Sequence, residues 1–463
     1  MTFLAIEWMP LLTKIGGLLF MLSILIVMHE LGHFIPAKLF KTRVEKFYLF
    51  FDFLFPFPNI GNWTLFKRTK GETEYGIGWF PFGGYVKIAG MIDESMDKEQ
   101  MKQPPQPWEF RSKPAWQRLI IMIGGVTVNL ILGWFIYSML LFTWGERSLP
   151  MSSLKDGVMA DSLAQQFGFK NGDKILAVDG TPINTYEKFL PAFLTAKNVT
   201  VNRAGQDITI DLPANHIGQI IDTRKKGLLF MPRIPFIVAE IDKQSKNKNS
   251  GLEVSDTVIA FNGHPVRYFD QVKDSLGNYK NATVQLTVHH PKKGVRVIPV
   301  QLDSMGKIGV ATGLMDNKDY EKTGFYQITH TYYSFFGSFG AGYHKVIHQL
   351  NAYLGQLKAI FTPKTGAYKG VGGFITMGSI IPYPWDWEAF WSITAFISLI
   401  LAVMNLLPIP MLDGGYVLFL LIEMIIQRKI PDRVVEIANY IGFIIVLGLL
   451  LYGNGMDIFR LFK

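Results

Sequence analysis

The chain has 463 residues, 49% of them hydrophobic and 18% charged, with a mean hydropathy of +0.20. That is too apolar for an ordinary soluble enzyme and too charged for a purely membranous chain, so membrane helices joined to soluble modules are expected, and disorder or a collagen-like repeat is excluded. The 46 Lys+Arg against 37 Asp+Glu give a formal net charge of +9, read here as basic loops beside a membrane and not as a nucleic-acid surface. With no cysteine, thiolate chemistry and disulfides drop out, and any metal falls to His, Asp or Glu.

The first apolar stretch, about 11–36, is long enough to cross roughly 30 Å of hydrocarbon as a helix. It runs straight into His29, Glu30 and His33 with no small-residue cleavage site, so it is expected to stay attached and not to act as a signal peptide. His29-Glu30-Leu31-Gly32-His33 places two imidazoles at i and i+4, on one helix face, where both can reach one metal. Glu30 lies beside that face and can act as a general base on a water activated there. Ionisable residues inside an apolar span cost roughly 2.5 to 3.5 kcal/mol each on insertion scales, so a cluster of three calls for a compensating role.

Next come a long stretch, Lys41 to Glu74, rich in aromatics from Phe50 to Phe57, and the motif Gly83-Gly84-Tyr85-Val86-Lys87. The aromatic stretch reads as an extra interfacial element or as ordinary loop burial. A second span follows at about 117–144. Beyond it the pattern changes to short alternating strands punctuated by Gly, Asn and Asp, which marks a separate folded region. This region holds a duplication without gaps. Gly168, Gly172-Asp173, Ile175 to Gly180 and Pro182 reappear 83 residues later as Gly251, Ser255-Asp256, Val258 to Gly263 and Pro265. Each copy reads as a strand ending in an Asp-Gly or Asn-Gly tight turn.

The third span, about 389–426, is over-long and interrupted by Pro408, Pro410, Gly414 and Gly415, so a broken helix is expected whose freed backbone groups face protein or water. Asp413, at that break, is the best candidate for the third ligand that zinc needs if one coordination place is to stay open. The rivals are His344 with His348, His289 with His290, His330, Asp386 and Glu423. The fourth span is about 434–453. Thirteen Lys and Arg lie in 37–118, and Arg428, Lys429 and Arg433 lie between the last two spans. The positive-inside rule makes both connections cytoplasmic, with both termini and about 146–388 on the other side.

Taken together, His29-Glu30-x-x-His33, Gly83 to Lys87 and Asn405-x-x-Pro408-x-Pro410-x-Leu412-Asp413-Gly414-Gly415, with the repeat between, resemble the site-2 protease family of intramembrane zinc metalloproteases. The bacterial RseP-type branch, with two PDZ domains, is the nearest match. Gly168 to Ile183 itself resembles a PDZ domain, and the second copy does so more loosely. The resemblance implies that His29, His33 and Asp413 bind Zn2+, that Glu30 is catalytic, and that Asn405 contacts substrate backbone. It also implies that Gly83, Gly84, Tyr85 and Val86 belong to a membrane-associated β-hairpin that aligns substrate as a strand. The family's Gly-Pro pair is missing from Gly370 to Met377.

The expected architecture is a polytopic α-helical membrane protein of about four transmembrane helices plus two extracytoplasmic PDZ-like α/β domains. Its parts are 1–145, with the HExxH helix, the hairpin region and the second span; PDZ-like domains at 146–222 and 223–310; a connecting helical or interfacial segment at 311–388; and a C-terminal membrane part at 389–463. The expected setting is a bacterial inner membrane. The expected partners are single-pass transmembrane substrates such as anti-sigma factors or remnant signal peptides, membrane lipid, and a peptide or protein ligand of the PDZ-like domains, with no nucleic acid. The competing readings are an ion-coupled transporter, since broken helices with buried carboxylates also build ion sites, and a membrane-anchored PDZ scaffold without proteolysis.

Overall fold

The computed structural model describes residues 8–54, 60–81, 83–91, 104–223, 229–312 and 326–462. Phe55 to Pro58 of the aromatic stretch lie outside the described residues. The chain forms two compact units: Met1–Gly145, Tyr332–Leu354 and Val371–Lys463 in one, Glu146–Thr331 and Gly355–Gly370 in the other.

The first unit contains four helices long and apolar enough to cross a membrane: Trp8–Leu39, Ala115–Trp144, Trp387–Leu406 and Arg433–Phe462. The protein is thus multi-pass and carries a separate β-rich region. The first two spans approach closely because glycine faces glycine. A Cβ on Gly124 would collide with the Gly32 carbonyl, so only small residues allow this crossing. The second and third spans meet where a Cβ on Gly133 would lie 2.7 Å from Leu399, and where the Ser398 hydroxyl donates to the Asn129 carbonyl at 2.7 Å. The third span ends at Leu406, and a short helix, Asp413–Ile426, restarts the chain after the proline-rich break. Met411 in the break has φ +83°, a left-handed conformation costly for a residue with a Cβ. Its N–H donates to Asn439 Oδ1 of the fourth span at 3.2 Å, and Asn439 Nδ2 donates to the Tyr416 hydroxyl at 3.1 Å. A backbone donor freed by the break therefore finds a protein acceptor, as an apolar surrounding requires.

Between the first two spans lies a four-stranded mixed sheet in the order Thr64–Lys70, Thr73–Gly78, Val44–Leu49, Tyr85–Ile88. Val44–Leu49 runs parallel to Thr73–Gly78 and antiparallel to Tyr85–Ile88, with Tyr48 opposite Tyr85. At the expected hairpin, Gly83 to Lys87, the strand is Tyr85–Ile88, which among the described residues is at the sheet edge, with its partner some 40 residues earlier in the chain. Gly83 and Gly84 make the approach possible: a Cβ on Gly84 would lie 2.6 Å from both Ile26 of the first span and the Tyr48 carbonyl oxygen. Part of the aromatic stretch is core, since Phe51 and Phe53 are buried with Tyr48 and Tyr85. Ile60, Trp63, Leu65 and Phe66, by contrast, are exposed.

The second unit contains both copies of the repeat. Strands Lys174–Val178 and Thr181–Pro182 with helix Tyr186–Leu194 recur as Thr257–Phe261 and His264–Pro265 with helix Phe269–Leu276. Ala177 pairs with Pro182, and Ala260 with Pro265. Both residues of each tight turn are left-handed, Asp179 at +46° and Gly180 at +74°, Asn262 at +48° and Gly263 at +80°, as a two-residue hairpin of type I′ demands. Phe230–Pro232 pairs with Val158–Ala160, and Phe230 is buried with Phe169, Phe189 and Phe193. That strand lies with the first copy, downstream of the expected boundary at 222. Val310–Thr312 pairs with Phe236–Ile241 and so carries the second copy's sheet past 310. Hydrophobicity alone does not assign such short strands to a core. Helix Phe335–Ile360 occupies the expected connecting segment.

Candidate metal centre

His29 and His33 occupy successive turns of the first span, and Asp413 is the first residue of the helix after the break. The two Nε2 atoms are 3.2 Å apart, and each lies 3.3 Å from Asp413 Oδ2. Four-coordinate tetrahedral zinc with bonds of about 2.0–2.1 Å separates its ligand atoms by about 3.3 Å, so this near-equilateral triangle has the edge length of a zinc site. Asp413 Oδ2 is buried and, the two imidazole nitrogens apart, no donor reaches it. An anionic oxygen in that state is costly unless a cation completes it. Among the described residues, these three form the one group of three or more His, Asp or Glu side chains close enough to hold a metal.

The surroundings are consistent with that role. His33 Nδ1–H donates to the Ile121 carbonyl at 2.9 Å, which leaves its Nε2 lone pair directed at the triangle. His29 Nδ1 faces the Asn129 side-chain amide at 3.2 Å, and the Asn405 amide nitrogen lies 3.4 Å from His29 Nε2. A Cβ on Gly125 would collide with His33 Nε2 and lie 2.6 Å from His29 Cε1, so this glycine makes room for the rings. The glycine just before the edge strand packs on the first span one turn before His29, where a Cβ on Gly84 would lie 2.6 Å from Ile26, so that strand starts beside the helix that carries the two rings.

The rival residues have other work. Asp386 caps the third span by accepting from the Ala389 N–H, Glu423 forms an ion pair with Arg118 at 2.5 Å, and the His290 ring accepts from the Lys292 N–H. His330 lies on a strand paired with Glu146–Ser148, and His344 and His348 lie on helix Phe335–Ile360. None of them joins the triangle.

Peptidase family M50 matches residues 17–449. The chain belongs to that family. It is accordingly a zinc metalloprotease of the site-2 type, and neither the transporter nor the scaffold reading is favoured. Relatives align with it end to end. A Vibrio cholerae protein provisionally named a zinc metalloprotease is 28% identical over 459 residues, spanning 95% of this chain and 97% of its own length. The regulator of sigma E protease of Haemophilus influenzae is 24% identical over 486 residues, 98% of this chain and 100% of its own.

Within the M50 protease, motif reading passed over Asn129, Gly125 and Asn439. Two of the three carried a signal: an Asn inside an apolar span costs energy and so suggests a partner. The identity of that partner, 100 residues away in the sequence for Asn129, is a matter of three-dimensional packing.

Proposed function

We propose that His29, His33 and Asp413 are the zinc ligands of this intramembrane protease and that Glu30 is its general base. The observation that carries this reading is the triangle of two imidazole nitrogens and one otherwise unpartnered carboxylate oxygen, with edges of 3.2 to 3.3 Å. Zinc, when bound, supplies a Lewis acid that polarises the scissile carbonyl and makes a water nucleophilic near neutral pH. Glu30 takes the proton from the attacking water and delivers it to the leaving amine nitrogen. The edge strand Tyr85–Ile88, preceded by Gly83 and Gly84, accepts an unwound stretch of substrate by strand addition, which offsets the helical hydrogen bonds the substrate gives up. Asn405 binds substrate backbone on the opposite chain segment.

The substrates under this proposal are single-pass membrane proteins with helix-weakening residues near the cut, with anti-sigma factors the leading class because one relative is named for sigma E regulation. The protein resides in a bacterial inner membrane with the repeat, read as two PDZ-like domains, outside the cytoplasm. Because the natural chain has no cysteine, single cysteines at exposed Val295 and Lys67 read the two sides directly. Labelling of whole cells by an impermeant maleimide at Val295→Cys and not at Lys67→Cys is expected.

The deciding experiment is Glu30→Gln in purified enzyme with a model transmembrane peptide. Cleavage is expected to fall by about 10²- to 10⁴-fold, the usual weight of a positioned acid–base group, with zinc content unchanged. Undiminished cleavage overturns the assignment of the base. Asp413→Ala is expected to lose zinc and cleavage together, and full zinc stoichiometry in that variant overturns the ligand set.

A further inference from the structure

We propose that Asn129, on the second span, is the positioning residue of the metal centre: its side-chain carbonyl accepts the His29 Nδ1 proton and thereby fixes the ring and the tautomer that His29 presents to zinc. The inference rests on His29 being a ligand through Nε2.

Asn129 is fully buried, and its Oδ1 has no partner while its Nδ2 stands 3.2 Å from His29 Nδ1. The oxygen and nitrogen of a side-chain amide have nearly the same shape, so their assignment follows from the hydrogen-bond network. Here the network favours the exchanged orientation. His29 Nε2 faces His33 Nε2 at 3.2 Å and Asp413 Oδ2 at 3.3 Å, the positions a shared cation would bridge, so its lone pair must point there. The ring proton is then on Nδ1, and only an oxygen can receive it. Turning the amide by half a rotation gives Nδ1–H its acceptor and gives the buried Oδ1 its donor, so one change resolves both mismatches.

The comparison with His33 supports the same conclusion. Its Nδ1 is held by the Ile121 carbonyl, a backbone acceptor that no substitution removes. Ile121 and Asn129 belong to the same helix, two turns apart, with Gly125 between them under the rings. The second span therefore orients both imidazoles, one through its backbone and one through a side chain. The Asn129 backbone carbonyl accepts from the Ser398 hydroxyl, which ties this point of the second span to the third. Such outer partners of a metal-bound histidine typically change metal affinity by 10- to 100-fold when removed.

The test measures zinc affinity of the full-length protein in detergent by competition with a chromophoric chelator, and the visible spectrum of its cobalt-substituted form. Asn129→Leu, branched at the same carbon but without an acceptor, is expected to weaken zinc binding by about 10- to 100-fold and to shift the cobalt bands. Asn129→Asp keeps an acceptor and is expected to bind zinc at least as tightly as the parent. If Asn129→Leu keeps parental affinity, or if Asn129→Asp loses as much as Asn129→Leu, the proposal is overturned. Should Asn129→Leu fail to fold, Asn129→Asp alone decides, since a tenfold loss there contradicts an acceptor role. His29→Ala is the control. Parental zinc affinity in that variant defeats the ligand assignment itself, whereas loss there with none in Asn129→Leu defeats only the inference about Asn129.

Discussion

Two kinds of buried carboxylate occur in this chain, and they are satisfied in opposite ways. Asp173 and Asp256, at equivalent positions of the repeat, are fully buried and fully partnered. Asp173 accepts from the Lys170 N–H and pairs with Arg203 at 2.8 Å; Asp256 accepts from the Glu253 N–H and pairs with Arg296 at 2.6 Å. Asp413 instead faces two imidazole nitrogens, and its Oδ2 has no donor besides them. A structural carboxylate is closed off by its own chain, while Asp413 is left open toward a position that an outside cation can fill. The contrast separates folding work from chemical work without reference to any motif.

The largest test of that contrast is at the metal floor. Gly125→Val puts a branched side chain where even a Cβ collides with His33 Nε2, so the rings must move and zinc binding and cleavage are expected to fall below detection. Zinc content by elemental analysis checks this, and a zinc-replete Gly125→Val protein would mean that the triangle is not the metal site.

Removing a charge should next give stability changes of different size in the two places. Arg203→Ala leaves the buried Asp173 with its backbone donor only, and stability of the repeat region is expected to drop by about 3 kcal/mol, the low end of the range for breaking a buried pair. Asp413→Ala in the metal-free protein removes a carboxylate that faces two imidazoles at 3.3 Å and no Arg or Lys, so the loss of unfolding resistance is expected to be smaller than for Arg203→Ala, as at sites where function is held against stability. Thermal unfolding of the two variants in detergent with chelator present gives the comparison. Equal destabilisation would erase the distinction.

How much of this was legible in sequence follows the same division. His29, Glu30 and His33 are adjacent in the chain, and helical spacing alone brings the two rings together. Asp413 was suggested by an acid at a proline- and glycine-marked break in an apolar run, a conflict that local propensity does not resolve without a function. The tight turns at Asp179-Gly180 and Asn262-Gly263 are local chemistry and were readable. The parallel pairing of Val44–Leu49 with Thr73–Gly78, and the strand Phe230–Pro232 seated on the first copy's core, depend on partners distant in the chain. So does Asn129: a lone polar residue in a span has many conceivable partners, and only packing selects His29.

The smallest expected effect concerns whether the two copies are equivalent in energy as well as in outline. Gly180 and Gly263 both have positive φ, and a Cβ at either meets nothing within 4 Å. Alanine at either position therefore feels backbone conformation alone, with no collision to obscure it. The left-handed region costs a residue with a Cβ roughly 1–2 kcal/mol, so Gly180→Ala and Gly263→Ala are expected to destabilise their own hairpins by about that amount. Hydrogen exchange on the full-length protein should speed up for the amides of Lys174–Val178 in the first variant and Thr257–Phe261 in the second, with zinc content unchanged in both. Acceleration in one copy only would show that the repeat keeps its geometry while the neighbouring packing, which differs between the cores around Phe189 and Val272, carries the load unequally.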